Sequence, residues 1–270
     1  MTKLLGVIGD PIAHSRSPLI HNGWLRDMGF DATYEAMQVA ESAFGEALAT
    51  LTGRDVLGLN VTLPHKAAAL NAASEMSLAA EKIGAANTLT YLGEDQWRAD
   101  NTDAPGFLSA LGQADPARDK VLILGAGGSA RALVYALVNA GYSVTIVNRT
   151  EQKAIDLAQD LGNSGTAYGA LNQYAEYIDL ATIVINTTSM GYDEQTLDLP
   201  LGNDRLFFDI SYGAIAAPQI TIARENGWRV KDGLSMLVAQ AAYSFKIWFG
   251  ESPDMDAGLR RCELALRAVS

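Results

Sequence analysis

A chain of 270 residues, 49% of them hydrophobic and 19% charged, can bury a sizeable core as one large domain or two smaller ones. Its formal net charge of −11, with no basic run, argues against a nucleic-acid surface and requires any anionic substrate to be held by local groups. No apolar run approaches the ~20 residues that span a bilayer, the N-terminus lacks a signal-peptide pattern, and the single cysteine, Cys262, excludes an intrachain disulfide framework. These features predict a cytoplasmic protein that binds neither membrane nor nucleic acid, with Cys262 a buried structural thiol. Monomer and homodimer are equally compatible with them.

Apolar strand-like runs alternate with helical patterns, which predicts α/β architecture with mainly parallel sheets. Leu4–Ile8 reads as a strand. Ser17 and Pro18 open a helix, as capping residue and first-turn proline, and Ile20, Trp24 and Met28 form its apolar stripe. Thr33–Val39 reads as a strand, Ser42–Leu51 as a helix and Val56–Val61 as a strand. A helix follows Pro64, and Asn87–Tyr91 with Gln96–Ala99 reads as a hairpin around Gly93. A helical pattern from Thr102 to Leu111 bridges to the second half. There Val121–Leu124 runs into a glycine turn and a helix, and Ser143–Val147 forms the next strand. Thr182–Ile185, Leu206–Ile210 and Trp228–Val230 are further strands, and Leu234–Phe249 and Pro253–Ala268 are helical. Two domains are expected, residues 1–103 and 104–239, with helices of about 240–270 packing back on the first.

The glycine turn, Gly125-Ala126-Gly127-Gly128-Ser129-Ala130, lies between a strand and a helix, the context of a Rossmann-like dinucleotide site. Gly125 permits the tight turn, Gly127 admits a pyrophosphate, and Ala130 lets helix and strand pack closely. The helix N-terminus offers unpaired N–H groups and partial positive charge. An NAD site would carry Asp or Glu about 20 residues on, for the ribose 2′-hydroxyl. Here the strand ends in Asn148-Arg149-Thr150. Arg149 can pair with a 2′-phosphate that a carboxylate would repel, so NADP is the expected cofactor.

Three polar segments in the first half are candidates for the reacting groups. In Gly9–Pro18, the Ser15 and Ser17 hydroxyls near a helix start can hold a carboxylate, or can serve as turn and cap. Asn60 and Thr62 share one face at the end of a buried-type strand, and Lys66 follows at a helix start, where the dipole disfavours its charge. Asn87 offers a donor and an acceptor from an apolar turn, and Asp103 can act in the site or cap the bridging helix. These segments are expected beside the nucleotide domain, where ligands of open α/β sheets collect, which predicts an active-site cleft between the domains. His14, His21 and His65 lack metal-ligand spacing, so no metal is expected. Ser189 lacks a nucleophile-elbow context. Trp24, Trp228 and Trp248 read as core or interface.

The segments Pro11–Pro18, Asn60-Val-Thr62-Leu-Pro-His-Lys66, Ala86-Asn87-Thr88, Asn101-Thr-Asp103, Gly125–Gly128, Asn148–Thr150, Ile185–Gly191 and Asp232–Gln240 appear together and in this order. In this the chain resembles the shikimate dehydrogenase family over nearly its full length. The resemblance implies an N-terminal substrate domain, a Rossmann-like NADP domain, and reversible NADPH-dependent reduction of 3-dehydroshikimate to shikimate, in aromatic amino-acid biosynthesis. It implies Lys66 and Asp103 as catalytic groups at the reacting carbon. Ser15 and Ser17 would bind the substrate carboxylate, with Tyr212 nearby, and Asn60, Thr62, Asn87 and Gln240 its hydroxyls. Gly125, Ala126, Gly127, Gly128, Ser129, Asn148, Arg149, Thr150, Lys153, Thr188, Ile210, Gly233 and Met236 would hold NADP. The segment 213–218 and Ser235 depart from the family pattern, which bears on affinity more than on reaction class. A paralogue acting on quinate or aminoshikimate and a catalytically silent nucleotide-binding regulator are the alternatives. Retention of both Lys66 and Asp103 weighs against the regulator. Domain closure over the substrate would place hinges near Gly84, Gly106 and Gly233.

Overall fold

Residues 2–268 are described by a computed structural model; Met1, Val269 and Ser270, the outermost positions of the expected domain ranges, lie outside the described residues. The chain divides into two units, Met1–Gly106 with Leu237–Ser270, and Phe107–Met236.

In the first unit β1 (Lys3–Gly9), α1 (Ser17–Met28), β2 (Ala32–Gln38), α2 (Phe44–Thr52) and β3 (Val56–Val61) alternate. Short α3 (Lys66–Asn71), β4 (Glu75–Met76) and α4 (Leu78–Ile83) follow, then β5 (Thr88–Gly93) and β6 (Gln96–Asp100). The sheet order is β2-β1-β3-β5-β6-β4. β1 is buried along nearly its whole length and pairs in parallel with both β2 and β3, as a continuous apolar run requires. β5 runs antiparallel to β3 and to β6, so this sheet is mixed. The reversal into β6 comes from a tight turn in which Gly93, Glu94 and Asp95 all take positive φ.

Helix α1 departs from expectation at its start. Ser17 is its first helical residue and provides no cap; its amide is instead met by the Ser15 hydroxyl at 3.3 Å. Pro18 in the first turn removes one donor that a cap would have served. Gly84 is equally local: it ends α4 with φ +72.

Helix α5 (Asp103–Leu111) leads into the second unit. There β7 (Lys120–Leu124), α6 (Gly128–Asn139), β8 (Ser143–Asn148), α7 (Glu151–Leu161), β9 (Ala167–Ala170), α8 (Tyr174–Ile178), β10 (Ile183–Asn186), β11 (Leu206–Asp209), α9 (Ala217–Glu225) and β12 (Arg229–Lys231) follow. The sheet is wholly parallel in the order β12-β11-β10-β7-β8-β9. Strand order reverses between β7 and β10, the switch point at which doubly wound sheets bind nucleotides. Leu122, Leu124, Val147, Val184 and Phe207 fill its core.

Helices α10 (Leu234–Phe249) and α11 (Met255–Arg267) carry the chain back to the first unit. Trp248 on α10 donates to the Leu89 carbonyl at 3.1 Å, and a Cβ on Gly58 would lie 2.1 Å from its indole nitrogen. Only glycine admits that approach. Trp24 donates to the Asp254 carbonyl at 2.7 Å, and Arg261 pairs with Asp27, which fixes α11 on α1. Cys262 is fully buried there, and burial pushes its thiol up to about 11. Among the described residues no helix is long and apolar enough to cross a membrane.

Candidate functional site

In the first unit Lys66 opens α3 and Asp103 opens α5, and their side chains meet. Lys66 Nζ donates to Asp103 Oδ2 at 2.5 Å, with the side chains only 13% and 8% exposed. A cation at a helix N-terminus is opposed by the dipole, and the Asp103 carboxylate offsets this. Asp103 is not needed as a cap: Asn101 Oδ1 accepts from the Ala104 amide, at 3.3 Å.

Asn87 braces the pair. Its amide nitrogen donates to Asp103 Oδ1 (2.9 Å), Thr102 Oγ1 (2.9 Å) and Gln240 Oε1 (3.2 Å). Its oxygen accepts from the Thr102 backbone N–H at 2.7 Å, which fixes the amide orientation because that N–H can only donate. Gln240 comes from α10, and its Nε2 donates to the Leu237 carbonyl at 2.8 Å. Asn60, near the end of β3, is buried and donates to the Asn87 carbonyl and to Ser244. Lys66, Asp103, Asn87, Gln240 and Asn60 thus form one connected set.

Thr62 is half-buried, its amide donating to the Ile8 carbonyl and its methyl against Gly9, where a Cβ would lie 2.5 Å away. Ser15 is half-buried and Ser17 buried. Gly106 is pressed against α10, where a Cβ would lie 2.7 Å from that of Gln240. His14 is exposed and His21 buried; His65 is buried with Nε2 2.7 Å from the Val39 carbonyl. Among the described residues no cluster of three His, Cys, Asp or Glu side chains could hold a metal ion. Thr88 and Thr102, inside the quoted motifs but given no role there, and Tyr34 and Ser244, outside them, are further members of the polar set. Ser244 stands one helical turn beyond Gln240, a spacing that could have found it.

In the second unit the glycine turn fits a dinucleotide. Gly125 has φ +111, and a Cβ there would lie 2.5 Å from Thr187 Oγ1. Gly127 caps α6 without a side-chain bond, and a Cβ on it would meet nothing within 4 Å. Open space thus lies beside Gly127, where α6 starts and a bound phosphate would approach. Ala126, Gly128 and Ser129 are half-buried, and Ala130 is fully buried where the helix packs on the sheet. After β8, Asn148 donates to the Thr150 carbonyl at 2.9 Å and shapes the turn, while Arg149, Thr150 and Lys153 are exposed.

A buried pair supports the neighbouring loops. Asn186, at the end of β10, donates to Asp209 Oδ2 (2.9 Å) and accepts from the Thr188 hydroxyl (2.7 Å). Burial raises the Asp209 carboxyl above its ordinary range, against hydrogen bonds from Asn186 and Ser211. The Ile210 amide donates to the Asn186 carbonyl, and the Gly233 amide to the Ser211 carbonyl. A Cβ on Gly233 would lie 1.9 Å from the Ile210 oxygen, so these loops touch backbone to backbone. Met236 is buried, and Tyr212 and Ser235 are half-buried. The unusual segment 213–218 ends in a regular helix start, with Pro218 in the first turn of α9.

Three family models match the chain: the shikimate dehydrogenase substrate binding domain over residues 7–89, shikimate / quinate 5-dehydrogenase over 110–212, and the shikimate 5′-dehydrogenase C-terminal domain over 233–260. The chain is 47% identical over 272 residues to shikimate dehydrogenase (NADP(+)) of Hyphomonas neptunium, covering all of both. Among solved structures it is similar to shikimate dehydrogenase of Aquifex aeolicus, with a TM-score of 0.88, 34% identity and 97% of each chain covered. It is also similar to the Thermus thermophilus enzyme in complex with NADP(H) and shikimate. There the TM-score is 0.84 and the identity 33%, with 98% of this chain and 100% of that one covered.

Proposed function

The chain belongs to the shikimate dehydrogenase family, and we propose that it reversibly reduces 3-dehydroshikimate to shikimate with NADPH, a step of aromatic amino-acid biosynthesis. The second unit would hold the nucleotide and the first unit the substrate. Bound NADPH supplies the hydride. Gly125–Ser129 would hold the pyrophosphate, Asn148–Thr150 and Lys153 the 2′-phosphate end, and Thr188, Ile210, Gly233 and Met236 the rest.

Reduction of a ketone places negative charge on its oxygen, and that oxygen must gain a proton. Lys66 is proposed to stabilise the charge and to donate the proton as the bond order of the carbonyl falls. In the reverse direction the amine takes the proton back. Asp103 orients Lys66 through Oδ2, while Asn87 holds its Oδ1. Ser15 and Ser17 are proposed to hold the carboxylate, and Asn60, Thr62, Asn87 and Gln240 the hydroxyls. The lone buried thiol of Cys262 supports a reducing, cytoplasmic setting.

The single observation that carries this reading is the Lys66–Asp103 pair, buried and braced by Asn87, since binding alone has no need of it. Lys66→Ala should lower kcat by about 10²–10⁴-fold, the usual worth of a general acid, while shikimate still binds in a calorimetric titration. Turnover close to that of the wild type would contradict the assignment.

A further inference from the structure

We propose that Tyr34 and Ser244 are positioning residues that join Asn60 and Gln240 into one directed hydrogen-bond chain beneath the substrate. The proposal rests on the function given above, which makes those two residues part of the substrate grip.

The directions follow from which atoms can only accept. Asn60 Nδ2 faces the Asn87 carbonyl (3.2 Å), Thr88 Oγ1 (3.2 Å) and Ser244 Oγ (2.8 Å). A carbonyl cannot donate, so this side of the amide is its nitrogen. The Asn60 oxygen is thereby turned to Tyr34, and the phenol must donate to it, at 2.7 Å. At the other end Ser244 donates to the Gln240 carbonyl, 3.1 Å away and again an acceptor only. The chain therefore runs Tyr34 to Asn60 to Ser244 to the backbone of Gln240, each hydroxyl donating once.

Both linking residues are held rigidly. The Tyr34 ring stacks on His21 with centroids 4.2 Å apart and planes 2° from parallel. Its backbone N–H and carbonyl both bond the Asn22 side chain, each at 2.9 Å. Ser244 is fully buried, with the Thr88 and Thr102 hydroxyls at 2.8 and 3.0 Å. Tyr34 is only 3% exposed, so it acts through its neighbours and not by touching substrate. Its hydroxyl and that of Ser244 fix the distance between Asn60 and the Gln240 turn of α10, two of the proposed hydroxyl contacts.

Tyr34→Phe removes one oxygen and keeps the ring, so it tests the chain without emptying the core. Shikimate binding by calorimetry and the KM values for shikimate and NADP⁺ would be measured in wild type, Tyr34→Phe, Ser244→Ala and the double variant. Each single variant should weaken shikimate binding and raise its KM by about fivefold, the worth of one hydrogen bond, with the KM for NADP⁺ unchanged. The double variant should lose less than the product of the two, since a broken chain cannot be broken again. Unchanged shikimate binding in Tyr34→Phe, an equal rise in the KM for NADP⁺, or fully multiplicative losses would overturn the proposal. Should Ser244→Ala fail to fold, Tyr34→Phe decides alone. A wild-type chain that neither binds nor turns over shikimate would overturn the assigned function itself, which the same assay reports separately.

Discussion

His21 shows how a single side chain can couple a packed core to pH. Its ring lies flat on Tyr34 and edge-on to Trp24, fully buried, and burial lowers its pKa from 6.5 to about 3. The folded chain therefore binds fewer protons than the unfolded chain between these values. Stability from this group is fully present above pH 6.5 and is lost as pH falls toward 3. Denaturant midpoints should fall across that window, and His21→Phe should flatten the fall; equal acid limbs for the two proteins would contradict this. At this scale the motif residues were legible because their chemistry is out of place locally: a lysine where the helix dipole opposes it, an asparagine in a small apolar turn. The division of labour among neighbours was not legible. Ser17 was the natural cap by residue type, yet the chain bends so that Ser15 meets the Ser17 amide and Ser17 itself caps nothing. Asp103 could have been a cap, and only the fold shows Asn101 in that role.

Elements with strong periodicity were readable and weak ones were not. Leu4–Ile8, Val56–Val61 and Val121–Leu124 are buried on both faces and stand out as apolar runs, and the strand–glycine–helix sequence around Gly125 is spatially as written. The stretch after Arg149 carried no clear signal. β9 is a four-residue edge strand, α8 has five residues, and α7 buries only Ala154 and Leu157. β4 is two exposed residues whose place is set by pairing with β6, a partner distant in sequence. The hairpin of β5 with β6 was legible from the turn at Gly93, whereas the antiparallel pairing of β5 with β3 is set by the longer connection through α3, β4 and α4. Gly125 carries the testable consequence. Alanine there would take φ +111 and meet Thr187, so Gly125→Ala should raise the KM for NADP⁺ by about tenfold or more through strain of 1–3 kcal/mol. Shikimate binding should be retained, and an unchanged KM for NADP⁺ would contradict the cradle.

For the molecule as a whole, the second unit is one continuous segment and the first is closed by the return of α10 and α11. That return matters for function, because α10 brings Gln240 and Ser244 to residues more than 130 positions earlier in the chain. The net charge of −11 opposes both an anionic substrate and a phosphorylated cofactor, so each must be held by local donors. Ser15, Ser17 and Lys66 in one unit, and the α6 N-terminus, Arg149 and Lys153 in the other, are the groups available. Arg149, standing where an NAD site would carry an acid, gives the account its sharpest discrimination. The most direct test is to follow nicotinamide reduction at 340 nm with shikimate or quinate, each paired with NADP⁺ or NAD⁺. Fast turnover confined to shikimate with NADP⁺ is predicted; a preference for quinate or for NAD⁺, or no turnover with any pair, would contradict it.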